Sequence, residues 1–124
     1  MKLRSLLALK ATLILIGAGI GFSQTAHAAQ IEYRTCKPVE VAVFKTRFHV
    51  RCEPIDGKAY TGDIKYYAAP IDARQPHLRY MLETLIAAKA HGRTLRIRFD
   101  FDDYDSVSGC KGSDCRRLVS VAMR

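Results

Sequence analysis

All four cysteines of this 124-residue chain, Cys36, Cys52, Cys110 and Cys115, lie downstream of an amino-terminal stretch with the make-up of an export signal. A small domain sent to an oxidising compartment buries a limited fraction of its surface, so cross-links supplement its core. The leader carries Lys2, Arg4 and Lys10 with no acid, and the run from Ala11 to Phe22 is apolar and uncharged. Ala26-His27-Ala28 then places small side chains at the two positions a signal peptidase probes. We therefore expect residues 1–28 to be a signal peptide and residues 29–124 a single disulfide-stapled domain. An uncleaved anchor over Leu6 to Phe22 is the rival, but spanning takes about 20 apolar residues, and Lys10 interrupts that longer stretch. The expectation is a secreted or periplasmic protein with no stable membrane anchor after cleavage.

The four cysteines permit three pairings. Zinc is the competing use, but no close Cys-x-x-Cys knuckle occurs and an oxidising compartment favours disulfides. The hairpin described next brings Cys36 towards Cys52, and the short Lys111-Gly-Ser-Asp114 segment leaves Cys110 to join Cys115.

Periodicity divides the domain. Val39, Val41 and Val43 alternate with Glu40, Ala42 and Phe44; after Lys45-Thr46, Phe48, Val50 and Cys52 alternate with Arg47, His49 and Arg51, which predicts a hairpin. Glu53-Pro-Ile-Asp-Gly57 is a turn cluster, and residues 63–69 predict a third strand that Pro70 ends. Leu78, Met81, Leu82, Leu85 and Ile86 stand at helical spacing before Gly92, predicting an amphipathic helix over 76–91. Leu95, Ile97, Phe99 and Phe101 then alternate with Arg96, Arg98 and Asp100 in the clearest strand signal, and 118–123 supplies a last strand after a polar loop over 102–114. The result is a mostly β (α+β) domain of order β-β-β-α-β-β, the order expected of a five-stranded OB-fold-like barrel.

Several segments carry a resemblance: the leader, Phe48-His-Val-Arg-Cys52, the stretch from Leu78 to Gly92 running into Arg93-Thr-Leu-Arg-Ile-Arg-Phe99, and Gly109-Cys-Lys-Gly-Ser-Asp-Cys-Arg116. Together they resemble small secreted OB-fold proteins of Gram-negative bacteria, including subtilase-cytotoxin-type toxin B subunits. The resemblance implies a glycan-recognising module that assembles as a ring, hence a homo-oligomer. No individual sugar-binding residue carries over, and the chain has no Trp to stack on a sugar.

Charge points to a class of ligand. The chain holds 20 Lys and Arg against 12 Asp and Glu; removing the three basic residues of the leader leaves 17 against 12, or +5. A basic surface attracts polyanions. Arg47, His49 and Arg51 of the second predicted strand, with Arg96 and Arg98 of the fourth, predict a basic stripe in which Ala42 and Phe44 are set, suited to anionic groups beside an aromatic ring. The plainer reading is that a half-exposed sheet must place polar groups outward. Asp100, Asp102, Asp103 and Asp105 invite a cation, but the spacing lacks the glycine and glutamate of an EF-hand loop. We expect no metal and no cofactor. His49, His77 and His91 stand in no nucleophile arrangement, so no catalytic residue is assigned and no enzyme is expected. The function expected is a secreted non-enzymatic binding module for a glycan or other polyanionic surface; the alternative is an envelope structural or protein-interaction module without a carbohydrate ligand.

Overall fold

The computed structural model describes residues 28–54 and 63–124. The leader up to residue 27, and the part of the Glu53–Gly57 turn cluster beyond Pro54, lie outside the described residues. Strands β1 (Ile31–Cys36), β2 (Pro38–Val43), β3 (Arg47–Cys52) and β4 (Tyr66–Pro70) precede helix α1 (Pro76–Ala90), and β5 (Leu95–Asp100) and β6 (Cys115–Met123) follow it. The described residues are mostly β with one helix. Its strands form a six-stranded sheet of order β1-β5-β6-β4-β3-β2, antiparallel throughout except for the parallel β4–β6 pair.

The described residues thus hold six strands where the sequence predicts five. The addition is β1, and its composition explains why periodicity passes over it. Its inward residues include Arg34 and Cys36, while Ile31 and Tyr33 alternate with them on the other face, so the usual rule that apolar side chains mark the core side is reversed. The final strand also begins earlier than expected, at Cys115, because its first residues pair in parallel with Tyr66, Tyr67 and Ala68.

The predicted hairpin is present. Val43 faces Phe48, Ala42 faces His49 and Val41 faces Val50, and the turn closes with a 2.7 Å hydrogen bond from the Phe44 N–H to the Arg47 carbonyl. A register shift between Pro38 and Glu40 puts Pro38 opposite Cys52. Cys36 therefore ends β1 instead of extending the hairpin. It is still disulfide-bonded to Cys52 with a Cα separation of 5.1 Å, and Cys110 is bonded to Cys115 at 5.2 Å.

That first bridge describes the shape of the sheet. β1 and β3 stand four ladder steps apart in strand order, or about 19 Å in a flat sheet at ~4.8 Å per step. Joining them at 5.1 Å requires the sheet to roll. Its hydrogen-bonded ladder is nevertheless not closed: β1 and β2 occupy opposite edges, and a single residue, Lys37, joins them in the chain. The Glu53 N–H donates to the Lys37 carbonyl at 2.8 Å across this junction.

The concave side is filled by Phe48, Val50, Tyr67, Leu95, Ile97, Phe99 and Leu118, with Leu78, Met81, Leu85 and Ala88 of α1 packed against them. Each such large side chain contributes roughly 1.5–3 kcal/mol when fully buried. The helical spacing therefore selects the right face, except that Ile86 is 50% exposed. α1 starts at Pro76, a position where the missing N–H costs nothing. It stops in a Schellman arrangement, the Gly92 N–H donating to the Lys89 carbonyl and the Arg93 N–H to the Ala88 carbonyl, with Gly92 at φ +59°.

Candidate functional site

The outward face of the sheet carries the groups singled out by charge, but the fold does not assemble them into one stripe. Arg47, His49 and Arg51 project from β3, while Arg96 and Arg98 project from β5, with β4 and β6 between them in the sheet. They make two separate basic and aromatic groups.

The first group is on β1 and β5, where Tyr33 faces Arg98 and Thr35 faces Arg96 across the ladder. The guanidinium carbon of Arg96 lies 4.6 Å from the Tyr33 ring centroid and that of Arg98 5.3 Å from it. Both distances fall in the range of cation–π contacts. Tyr33 remains 56% exposed. Arg124 joins Tyr33, Thr35 and Arg96 around an open cleft of about 250 Å³. No side-chain carboxylate among the described residues pairs with Arg96, Arg98 or Arg124.

The second group is on β3 and β4. His49 is 8% exposed and lies between the rings of Phe44, at 5.1 Å, and Tyr66, at 4.6 Å. Its Nε2 is 2.8 Å from Oε1 of Glu40, and Arg51 approaches the other oxygen of the same carboxylate at 3.8 Å. Glu40 thus offsets the charge of that end of β3. Arg47 instead covers Phe44, at 4.1 Å from its centroid, and donates to the Ser108 carbonyl at 3.3 Å. Ala42, expected within a continuous stripe, stands opposite His49.

The loop between β5 and β6 accounts for the separation. Val107, Cys110 and Cys115 pack on Ala68 and Tyr66, forming a small apolar cluster apart from the main core. The Cys110–Cys115 bridge holds this loop over the outer surface of β4, beside the second group.

Asp100 and Asp103 hold neighbouring groups of the chain. Oδ1 of Asp100 accepts from the Gln30 and Asp102 N–H groups, and Asp103 accepts from the Ser106 N–H and hydroxyl while approaching Arg117 at 3.5 Å. Burial alone pushes Asp103 upward, but the Ser106 donors and Arg117 outweigh it and hold its carboxyl below the usual range. These acids, with Tyr104, border an open cavity of about 500 Å³. No group of three His, Cys, Asp or Glu among the described residues is placed to hold a metal ion.

Tyr33, Tyr66, Lys111, Asp114 and Arg124 are the site residues that sequence reasoning misses. The signal available for Tyr33 was the alternation of Ile31, Tyr33 and Thr35. Tyr66 comes beside β3 through the β3–β4 pairing, and the disulfide-held loop brings Lys111 and Asp114 to a cleft they share with Arg47, His49 and Tyr66. His77 and His91 stand at the two ends of α1.

Comparison with protein-family models, curated proteins and solved structures returns no match. The two disulfides fit a periplasmic or extracellular location. Among the described residues no helix is long and apolar enough to cross a membrane.

Proposed function

We propose that this protein is an exported, non-enzymatic binding module of OB type that docks on an acidic polymer through the β1–β5 face. The fold part of the reading rests on treating β1 and β2 as one strand interrupted at Lys37. Five strands then follow one another in circular order, the interrupted strand neighbouring β5 with its first half and β3 with its second. That is the plan of a small, partly open barrel with a helix before its fourth strand.

The observation that carries the function is the pair of arginines, Arg96 and Arg98, held against one exposed tyrosine without an acid partner among the described residues. Contact with the Tyr33 ring restrains both guanidiniums while both arginines stay exposed, so less side-chain entropy is lost when an anion arrives. Arg124 extends the positive surface. A polymer of carboxylates or sulfate esters, such as an acidic polysaccharide, presents the repeated charge that suits it.

Titration with alginate and with poly-L-glutamate at several salt concentrations tests the proposal. The affinity should fall linearly on a logarithmic salt scale, and Arg96→Gln/Arg98→Gln should weaken binding and lower the slope by roughly two, by analogy with about 0.9 per phosphate contact. Binding indifferent to salt and to this double substitution would overturn the proposal and favour a protein partner instead.

A further inference from the structure

We infer that the cleft between β3, β4 and the disulfide-held loop is a second binding site, which takes a single sugar ring bearing a phosphate or sulfate ester. It is independent of the β1–β5 face, since β6 and the loop cluster on Ala68 lie between the two.

The cleft measures about 260 Å³, with Arg47, His49, Tyr66, Lys111 and Asp114 on its walls. Drug-sized ligands occupy roughly 300–1,000 Å³, so this one has room for about one ring. Its walls are already set. His49 is wedged between two aromatic rings with Nε2 engaged by Glu40. The Asp114 carbonyl accepts from the Lys65 and Tyr66 N–H groups at 2.8 and 3.0 Å, which fixes that residue to the start of β4. The loop over the cleft is closed by Cys110–Cys115 and latched by Arg47 on Ser108. Gly109, at φ +79°, lies against the Arg47 guanidinium so closely that a side chain there would strike it.

Charge selects the ligand. Arg47 and Lys111 have no side-chain carboxylate partner among the described residues, whereas Asp114 is the one acid on the wall. Two cations suit an ester with several charged oxygens, and a guanidinium can engage two of them at once. A bare anion gains nothing from Asp114, which is acceptor-only when ionised. A ligand with an anionic group at one end and hydroxyls at the other satisfies both walls. Tyr66 supplies an amphipathic surface for the ring between them.

The test is titration of the purified protein with glucose 6-phosphate, glucose 6-sulfate, glucose and inorganic phosphate, followed by calorimetry and amide chemical shifts. Saturable binding of at least one ester is expected, with glucose and inorganic phosphate each about tenfold weaker or more. Lys111→Gln should reduce ester affinity by about tenfold, as should Arg47→Gln, while both variants keep their poly-L-glutamate affinity. Lys111 is exposed, so its substitution separates ligand loss from damage to the fold. Arg96→Gln/Arg98→Gln should leave ester binding intact, which keeps failure of this site distinct from failure of the polymer site. Absence of saturable ester binding, equal binding of inorganic phosphate, or ester binding unchanged in both Lys111→Gln and Arg47→Gln would overturn the inference.

Discussion

The guanidinium of Arg34 on β1 donates a 2.8 Å hydrogen bond to the phenol oxygen of Tyr67 on β4. The two strands stand three ladder steps apart in the sheet, so this contact spans the interior of the roll. Arg34 is 4% exposed, its second terminal nitrogen donates to the Glu53 carbonyl at 3.0 Å, and its Nε has no hydrogen-bond partner among the described residues. A buried cation answered by neutral acceptors is sensitive to loss of either one. Tyr67→Phe should lower unfolding free energy by about 1–3 kcal/mol, because it strands a charged donor. Arg34→Met on top of Tyr67→Phe should recover part of that loss, since it removes the stranded charge while keeping an apolar chain of similar length. Urea melts of the two variants provide the check; a double variant no more stable than Tyr67→Phe alone would contradict the account.

The two disulfides should differ in what they protect. Cys36–Cys52 closes a loop of about 15 residues, for which chain entropy gives roughly 3 kcal/mol, against roughly 2 for the short Cys110–Cys115 ring. Replacing the first pair by alanine should lower the denaturation midpoint throughout the domain. Replacing the second should chiefly speed hydrogen exchange over residues 101–114, because that bridge lies in the small cluster and apart from the main core.

Gly92→Ala isolates the cost of a backbone conformation. A methyl group there meets nothing within 4 Å among the described residues, so only the φ of +59° opposes it. The left-handed conformation costs an L-residue about 1–2 kcal/mol, and thermal unfolding should register a loss of that size with no change in the helix content of the folded state.

Acid should destabilise the domain through depressed carboxyls. The Arg74 side chain, the Arg74 N–H and the Gln75 amide hold Asp72 well below the ordinary carboxylate range. Asp103 is lowered by Ser106 and Arg117 against the upward push of burial. A folded pKa below the unfolded value of about 3.9 means stability that is present above pH ~4 and is lost as pH falls through the folded value. Asp103→Asn should therefore flatten the stability profile below pH ~4. An unchanged slope in chemical melts across that range would remove Asp103 from the explanation.

Tyr33→Leu separates order from charge at the β1–β5 face. Both arginines persist, so the salt slope for polyanion binding should be preserved. Affinity should fall a few-fold, in line with a cation–π contribution of about 0.5–1 kcal/mol at an exposed site. A change in slope instead would show that Tyr33 alters how many anionic groups are engaged.

The local pattern of this chain determines much of what its segments become. Alternation specifies β5 and the β2–β3 hairpin, the spacing of Leu78, Met81 and Leu85 marks the buried face of α1, and the cysteines pair as their neighbourhood suggests. These features follow from which side chains must leave water within a few residues of one another. Tertiary structure decides the rest. β1 is recognisable only once Arg34 finds Tyr67 and the Glu53 carbonyl, because an isolated strand gives no reason to put a guanidinium on its inner face. The division of the basic residues into two groups depends on β6 entering parallel to β4 and on a cross-linked loop packing over Ala68. Such relations join residues distant in sequence, and hydrophobic period carries no information about strand order, about how far a sheet rolls, or about which carboxylate reaches a given arginine.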